Sequence, residues 1–358
     1  MTRVALLGAT GSIGRQALEI IDSHPDLEVC AVMSGTRSCD EIVAAHPGVL
    51  AQVGGDPTTL LEATGADIVL NAIVGFAGIR ATLWALEHGV TLALANKESL
   101  VAGGAFARAA LDRGGGRLIP VDSEHSAIYQ CLQGRELDAV DSLVLTASGG
   151  PFRGRTREEL LAVTVEEALA HPTWAMGRKI TVDSATLANK GLELIEAHWL
   201  FGVAYDHIEV VVHPTSIVHG VVRFRDGAAL AHVGYPDMRV PISFALTYPS
   251  RAGTPVPALD LAGGLTLSFE APDLEAFPLL RLAREAGESG GTYPCAYNAA
   301  NEVAVAAFLE GRVAFLEIAA TVENTLEQVG GAPASSLEEL VAADEEARRI
   351  AERRMVAA

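Results

Sequence analysis

Short, mostly apolar runs alternate with stretches of helical periodicity through the first third of the chain. Val4, Ala5, Leu6 and Leu7 form an uninterrupted apolar run, the pattern of a strand covered on both faces. Beyond a glycine-rich segment, Ala17, Leu18, Ile20 and Ile21 recur at helical spacing. The alternation returns with apolar runs at residues 27–33, 66–72 and 90–96. Strands separated by helices predict a parallel, doubly wound α/β sheet over residues 1–121. After Val121 the pattern becomes mixed, and β-rich runs at 208–212 and 220–224 predict a second, mixed sheet in an α+β domain over 122–248. Residues 249–278 are rich in Pro and Gly and predict a linker. The periodicity of 296–309 and onward predicts a helical C-terminal domain over 279–358.

The first apolar run leads directly into Gly8-Ala9-Thr10-Gly11-Ser12-Ile13-Gly14 and then into the helical stretch. Glycines let a backbone approach a pyrophosphate, and the helix N-terminus that follows directs amides and partial positive charge at it. The Lys that a P-loop requires is missing, which excludes a mononucleotide-hydrolysing loop. The arrangement predicts a Rossmann-type dinucleotide site with Gly8, Thr10, Gly11, Ser12 and Ile13 against the cofactor. Ser34-Gly35-Thr36-Arg37-Ser38 follows the second strand, where an NAD site usually places an acid for the ribose diol. Arg37, next to Gly35 and the hydroxyls of Thr36 and Ser38, suits a 2′-phosphate instead, so NADPH is the expected cofactor. Asn96-Lys97-Glu98-Ser99 follows a later strand, at the edge where open parallel sheets bind ligands, which adds Asn96 and Glu98 to this site.

Asp122 and Glu124 stand two residues apart where the apolar run 118–121 gives way to a helix-forming segment, with Lys97 upstream. Side chains two apart on extended backbone share a face, so both carboxylates could serve one hard divalent cation. The run from Asp183 to Glu193 reads as a capped helix on which Asn189, Lys190 and Glu193 share a face, and a third acid would complete such a site. Without neighbouring motifs, the same acids also fit a solvated strand end and an exposed turn.

Length and charge narrow the classes. At 358 residues the chain exceeds one ordinary domain. Its formal charge of −19 argues against nucleic acid or an anionic membrane as partner, while a phosphorylated small molecule can still meet a locally basic pocket. Cys30, Cys39, Cys131 and Cys295 are widely separated with no Cys-x-x-Cys pair, so neither a zinc site nor a disulfide framework is indicated. With no secretory stretch and no apolar run of membrane-spanning length, the cytoplasm is the expected compartment.

These motifs occur in one family order together with Thr146-Ala147-Ser148-Gly149-Gly150-Pro151-Phe152, the run His171-Pro172-Thr173-Trp174-Ala175-Met176-Gly177, and Tyr297-Asn298-Ala299-Ala300-Asn301-Glu302. The chain resembles the 1-deoxy-D-xylulose 5-phosphate reductoisomerases over nearly its whole length. The resemblance implies NADPH-dependent conversion of 1-deoxy-D-xylulose 5-phosphate into 2-C-methyl-D-erythritol 4-phosphate, a step of non-mevalonate isoprenoid biosynthesis. It would proceed by retro-aldol and aldol steps and then reduction, with magnesium or manganese. By the same resemblance Asp122, Glu124 and Glu193 are the metal ligands, and Lys97 and His171 join them in catalysis. Ser148, Ser184, Asn189 and Lys190 would hold the substrate phosphate and hydroxyls, and Lys97 and Ser123 would contact the polyol near Glu124. His171 and Trp174 would lie on a flap over the substrate, with Met176 and Gly177 near the nicotinamide. A homodimer is the family expectation.

Thr36 stands where family members commonly carry Lys, and Ala188 where they carry a bulkier apolar residue; these departures bear on the 2′-phosphate contacts and on packing under the substrate helix. His213, His219 and His232 show no ligand spacing and read as structural. Two rival classes fit less well. A semialdehyde dehydrogenase needs a nucleophilic Cys in a reactive setting, and a cofactor-sensing protein has no use for three acids.

Overall fold

The computed structural model describes residues 1–357. The chain divides into two compact units, one of Met1–Leu100, Gly104–Gln133 and Asp237–Leu259, the other of Val101–Gly103, Gly134–Pro236 and the chain from Asp260 onward.

In the first unit, β1 (Thr2–Leu7), β2 (Leu27–Ser34), β3 (Leu50–Val53), β4 (Ile68–Asn71), β5 (Thr91–Leu94) and β6 (Arg117–Pro120) form a parallel sheet in the order β3-β2-β1-β4-β5-β6. Val4 to Leu7 are wholly buried, as their continuous apolar run requires. The strand order reverses between β1 and β4, and the carboxyl ends of such neighbours open the crevice in which doubly wound sheets bind ligands.

The division of the chain departs from the expected domain limits. The helix Ser123–Leu132 stays with the first unit, and so does the helix Arg239–Thr247. Ile242, Phe244, Ala245 and Leu246 of the latter are buried in one cluster with Val4, Leu6, Ile20, Ile21 and Ile119. Arg239 fastens it by donating to Glu19 Oε1 at 2.8 Å and to Asp237 Oδ2 at 2.6 Å. An apolar helix face does not name the surface that will cover it, so periodicity could not return this segment to the first unit.

In the second unit, β7 (Val140–Ala147), β8 (Ile208–Val212), β9 (Val218–Phe224) and β10 (Ala229–Val233) form the expected mixed sheet in the order β10-β9-β7-β8. β7 runs parallel to β8 and antiparallel to β9. Residues 249–278 are loop apart from a bridge between Val212 and Glu270. The helical remainder includes Leu279–Ser289, Tyr293–Leu309, Phe315–Gln328 and Leu337–Ala357. Gly191 allows the helix Ala188–Phe201 to approach Leu279–Ser289 closely, since a Cβ at Gly191 would lie 2.6 Å from Ala283 Cβ.

Candidate active site

The cofactor side is built at the end of β1. Gly8 has φ +85°, and a Cβ there would lie 2.4 Å from the Ala72 carbonyl oxygen; a Cβ on Gly14 would lie 2.4 Å from that of Gly8. Only glycine fits both approaches. The amides of Gly8 and Ala9 donate to the Met33 carbonyl at 2.8 and 2.9 Å, which ties the loop to β2. No side chain caps the helix Ser12–Ser23 at Gly11, so its first amides and its dipole are presented as an anion site. Thr10 and Ile13 are half-buried and Ser12 is exposed. Arg37 is exposed with Nη1 3.5 Å from the Thr10 carbonyl oxygen, which sets the guanidinium beside the glycine loop. Gly35, Thr36 and Ser38 are exposed alongside it. This donor set fits a dinucleotide with a phosphorylated ribose.

Asn96 begins the helix Lys97–Gly114: its Oδ1 accepts from the Ser99 amide at 3.1 Å, and its Nδ2 donates to Glu98 Oε2 at 2.8 Å. Lys97 therefore occupies the first helical position, and its Nζ lies 2.5 Å from Asp122 Oδ1. Asp122 is the N-cap of Ser123–Leu132, with φ −56° and ψ 141°, and Glu124 falls in the first helical turn. The expected placement of both acids on one extended strand is thus replaced by a helix start, because β6 ends at Pro120. Burial alone would push the Asp122 carboxyl up, but the Lys97 ammonium and then the hydrogen bond from His125 outweigh it and hold it far below the usual carboxylate range. His125 Nδ1 is 2.9 Å from Asp122 Oδ2, and its side chain is wholly buried. Sequence reading left His125 without a role; its three-residue spacing from Asp122 at a helix start was the signal. Ser123 Oγ donates to Glu124.

The second unit carries the remaining predicted residues. The single helix expected from Asp183 to Glu193 is two, Arg178–Ala185 and Ala188–Phe201, interrupted at Leu187 with φ +60°. Asn189 Nδ2 donates to Glu193 Oε1 at 2.6 Å and Lys190 donates to Oε2, so the three do share a helix face; Lys190 and Glu193 are buried. Asn189 Oδ1 is buried without a partner. Ala188 is fully buried. Gly150 has φ +66°, and a Cβ there would lie 2.8 Å from the Ser184 carbonyl oxygen, so the turn after β7 brings Ser148 up to the backbone that carries Ser184.

His171 Nδ1 accepts from the amides of Thr173 at 3.1 Å and Trp174 at 2.9 Å, and its Nε2 lies 2.9 Å from Ser148 Oγ. Two amides on Nδ1 place the ring proton on Nε2, and burial pushes the imidazole below its ordinary pKa. Trp174 meets His219 edge to face at 6.2 Å, and Gly177 caps the helix Arg178–Ala185. Sequence reasoning missed a role for Asp183 and Asn301; Asn301 Nδ2 donates to Asp183 Oδ1 at 2.8 Å, and Lys179 pairs with Oδ2 at 3.0 Å. His213 and His219 reach main-chain carbonyls, of Ser268 at 2.7 Å and Gly234 at 3.3 Å, as structural histidines do.

Comparison with known proteins agrees along the chain. Residues 4–53 and 49–104 match the family described as 1-deoxy-D-xylulose 5-phosphate reductoisomerase, and 118–201 its C-terminal domain. Residues 233–350 match the DXP reductoisomerase C-terminal domain. The 1-deoxy-D-xylulose 5-phosphate reductoisomerase of Geobacillus sp. (strain WCH70) is 48% identical, with 98% of each chain covered. That of Rhodococcus jostii (strain RHA1) is 50% identical, covering 97% of this chain and 92% of its own. The structure of the Zymomonas mobilis enzyme in complex with NADPH superposes with a TM-score of 0.90 at 43% identity, over 99% of both chains. A DOX-P reductoisomerase in complex with NADPH, fosmidomycin and magnesium gives a TM-score of 0.91 at 37% identity, over 99% of this chain and 98% of that one. The chain therefore belongs to the 1-deoxy-D-xylulose 5-phosphate reductoisomerase family.

Proposed function

We propose that this protein converts 1-deoxy-D-xylulose 5-phosphate into 2-C-methyl-D-erythritol 4-phosphate, using NADPH and a divalent cation, magnesium or manganese. The observation that carries the reading is Asp122, held ionised by Lys97 and His125 in the same unit as a glycine loop flanked by Arg37. A plain NADPH reductase has no need of the chelate that Asp122 would form with Glu124 and Glu193. The relative solved with NADPH, fosmidomycin and magnesium supports the same combination.

When bound, NADPH supplies the hydride. When bound, the cation supplies Lewis acidity toward adjacent substrate oxygens. Asp122, Glu124 and Glu193 would hold it, since carboxylate oxygens suit a hard ion. Lys97 and Ser123, neighbours of Asp122 and Glu124, donate to the polyol hydroxyls. Ser148, Ser184 and Lys190 offer hydroxyl and ammonium donors to the phosphate. Asn189, whose buried Oδ1 is an unused acceptor, suits a substrate hydroxyl. His171 acts as a neutral donor through Nε2, the atom now facing Ser148. The reaction breaks the C3–C4 bond of the ketose phosphate and rejoins the fragments as a branched aldehyde before reduction. The segment around His171 and Trp174 would exclude water and retain that aldehyde. Met176 and Gly177 would border the nicotinamide, and Gly8, Thr10, Gly11, Ser12, Ile13, Gly35, Arg37, Ser38, Asn96 and Glu98 the rest of the cofactor.

A cytoplasmic homodimer completes the reading. Among the described residues no two cysteines form a disulfide. Among the described residues no helix is long and apolar enough to cross a membrane. Light scattering checks the dimer. Carbon-13 NMR of the product tests the reaction: a 2-C-methyl branched skeleton is expected, and an unbranched polyol phosphate would replace the reading with a simple NADPH sugar-phosphate reductase.

A further inference from the structure

A chain of buried hydrogen bonds leads to Asn96 and Glu98 of the cofactor site through Asn71, Thr82 and Ser99, which none of the chemistry above employs. Asn71, at the end of β4, donates through Nδ2 to Thr82 Oγ1 at 3.0 Å and to the Gly78 carbonyl at 2.9 Å. Thr82 Oγ1 lies 3.0 Å from Ser99 Oγ, and Ser99 Oγ donates to Asn96 Oδ1. Asn96 Nδ2 then reaches the Ile73 and Gly75 carbonyls and Glu98 Oε2, each at 2.8 Å. Asn71, Thr82 and Ser99 are 0% exposed.

The direction of every bond in this chain follows from one backbone contact. The Ser99 amide donates to Asn96 Oδ1 at 3.1 Å, which orients the Asn96 carboxamide with its oxygen toward Ser99 and its nitrogen toward the two carbonyls. Ser99 must then spend its hydroxyl hydrogen on Asn96, and Thr82 must spend its own on Ser99. Asn71 has to supply Thr82. The chain therefore points one way, from Asn71 to the 73–75 backbone and the Glu98 carboxylate. The space around it is closed, since a Cβ on Gly78 would lie 2.4 Å from Asn96 Oδ1.

We propose that Thr82 and Ser99 are positioning residues for NADPH: through Asn96 they hold the backbone of 73–75 and the Glu98 carboxylate in the orientation that the cofactor meets. The proposal rests on the NADPH site described above. Removing one hydroxyl leaves a buried donor and acceptor without partners and loosens or removes the Ser99 hydroxyl bond to Asn96 Oδ1, so that the Ser99 amide alone is left to hold the carboxamide.

The test is NADPH affinity by fluorescence titration for the parent, Thr82→Val, Thr82→Ser and Ser99→Ala, with thermal unfolding in parallel. Thr82→Val keeps the shape and is expected to raise the NADPH Kd roughly tenfold, with Thr82→Ser back within about twofold of the parent. Ser99→Ala is expected to weaken NADPH similarly, and its small size guards against a failure of Thr82→Val to fold. A lower melting temperature in Thr82→Val and Ser99→Ala with NADPH Kd within about twofold of the parent would make the chain purely structural and overturn the proposal, as would failure of Thr82→Ser to restore affinity. A parent that does not bind NADPH would instead overturn the cofactor reading on which the proposal stands.

Discussion

Asn189 Nδ2 lies 2.6 Å from Oε1 of Glu193, one turn later on the same helix, and with Lys190 on the other oxygen it fixes the direction of a fully buried carboxylate. Glu193→Gln removes one formal charge from the proposed ligand set and leaves Lys190 buried beside an amide. Calorimetric metal affinity is expected to fall at least tenfold and stability by about 3 kcal/mol, the scale of a broken buried pair. NADPH fluorescence titration should return the parent's Kd, because the glycine loop belongs to the other unit. Metal affinity equal to the parent's would remove Glu193 from the ligands.

Arg37 stands beside the Thr10 carbonyl with no acid at the end of β2 to hold a ribose diol. Arg37→Asp should narrow or reverse the preference for NADPH over NADH, by about ten- to a hundredfold for one charge-assisted contact. Titrating both cofactors decides it. Unchanged discrimination would transfer the 2′-phosphate to Thr36, Ser38 or another cation.

Gly8→Ala places a Cβ against the Ala72 carbonyl at a φ of +85°. The strain is on the order of 1–3 kcal/mol before the collision is relieved, so the melting temperature should drop. NADPH Kd should rise more than tenfold on the scale of lost phosphate contacts, because the loop can relieve the collision only by leaving its place on β2. Parent-like affinity would show that the loop tolerates another path.

Burial lowers the His171 pKa, so between its ordinary and its lowered value the unfolded chain binds a proton that the folded chain does not. The stability contributed is complete above the ordinary value and declines as pH falls through that window. The acid limb of kcat/KM assigned to His171 should accordingly lie below about 6.5. His171→Gln, which keeps a side-chain donor, should abolish that limb and lower kcat/KM by about tenfold or more. An acid limb above the ordinary histidine value would sink the assignment of a neutral donor.

Local pattern was enough for the elements whose partners lie within a few residues. The apolar run of β1, the glycine loop, the helix after it and β2 are one supersecondary unit, so Gly8 and Gly11 in the loop and Arg37 just past β2 were legible together. Glu193 was legible beside Asn189 and Lys190 because helical spacing alone makes them neighbours. Backbone conformation at a junction was not legible: Asp122 and Glu124 lie on a helix start and not on a strand, and Leu187 breaks a run that read as one helix. Those outcomes depend on where Pro120 ends the sheet and on how Leu187 is buried, which spacing does not encode. The place of the helix Arg239–Thr247 in the core of the first unit, and the chain from Asn71 through Thr82 and Ser99 to Asn96, join residues far apart in sequence. An apolar face or a buried hydroxyl announces that it needs a partner; only the packed tertiary structure decides which one it gets.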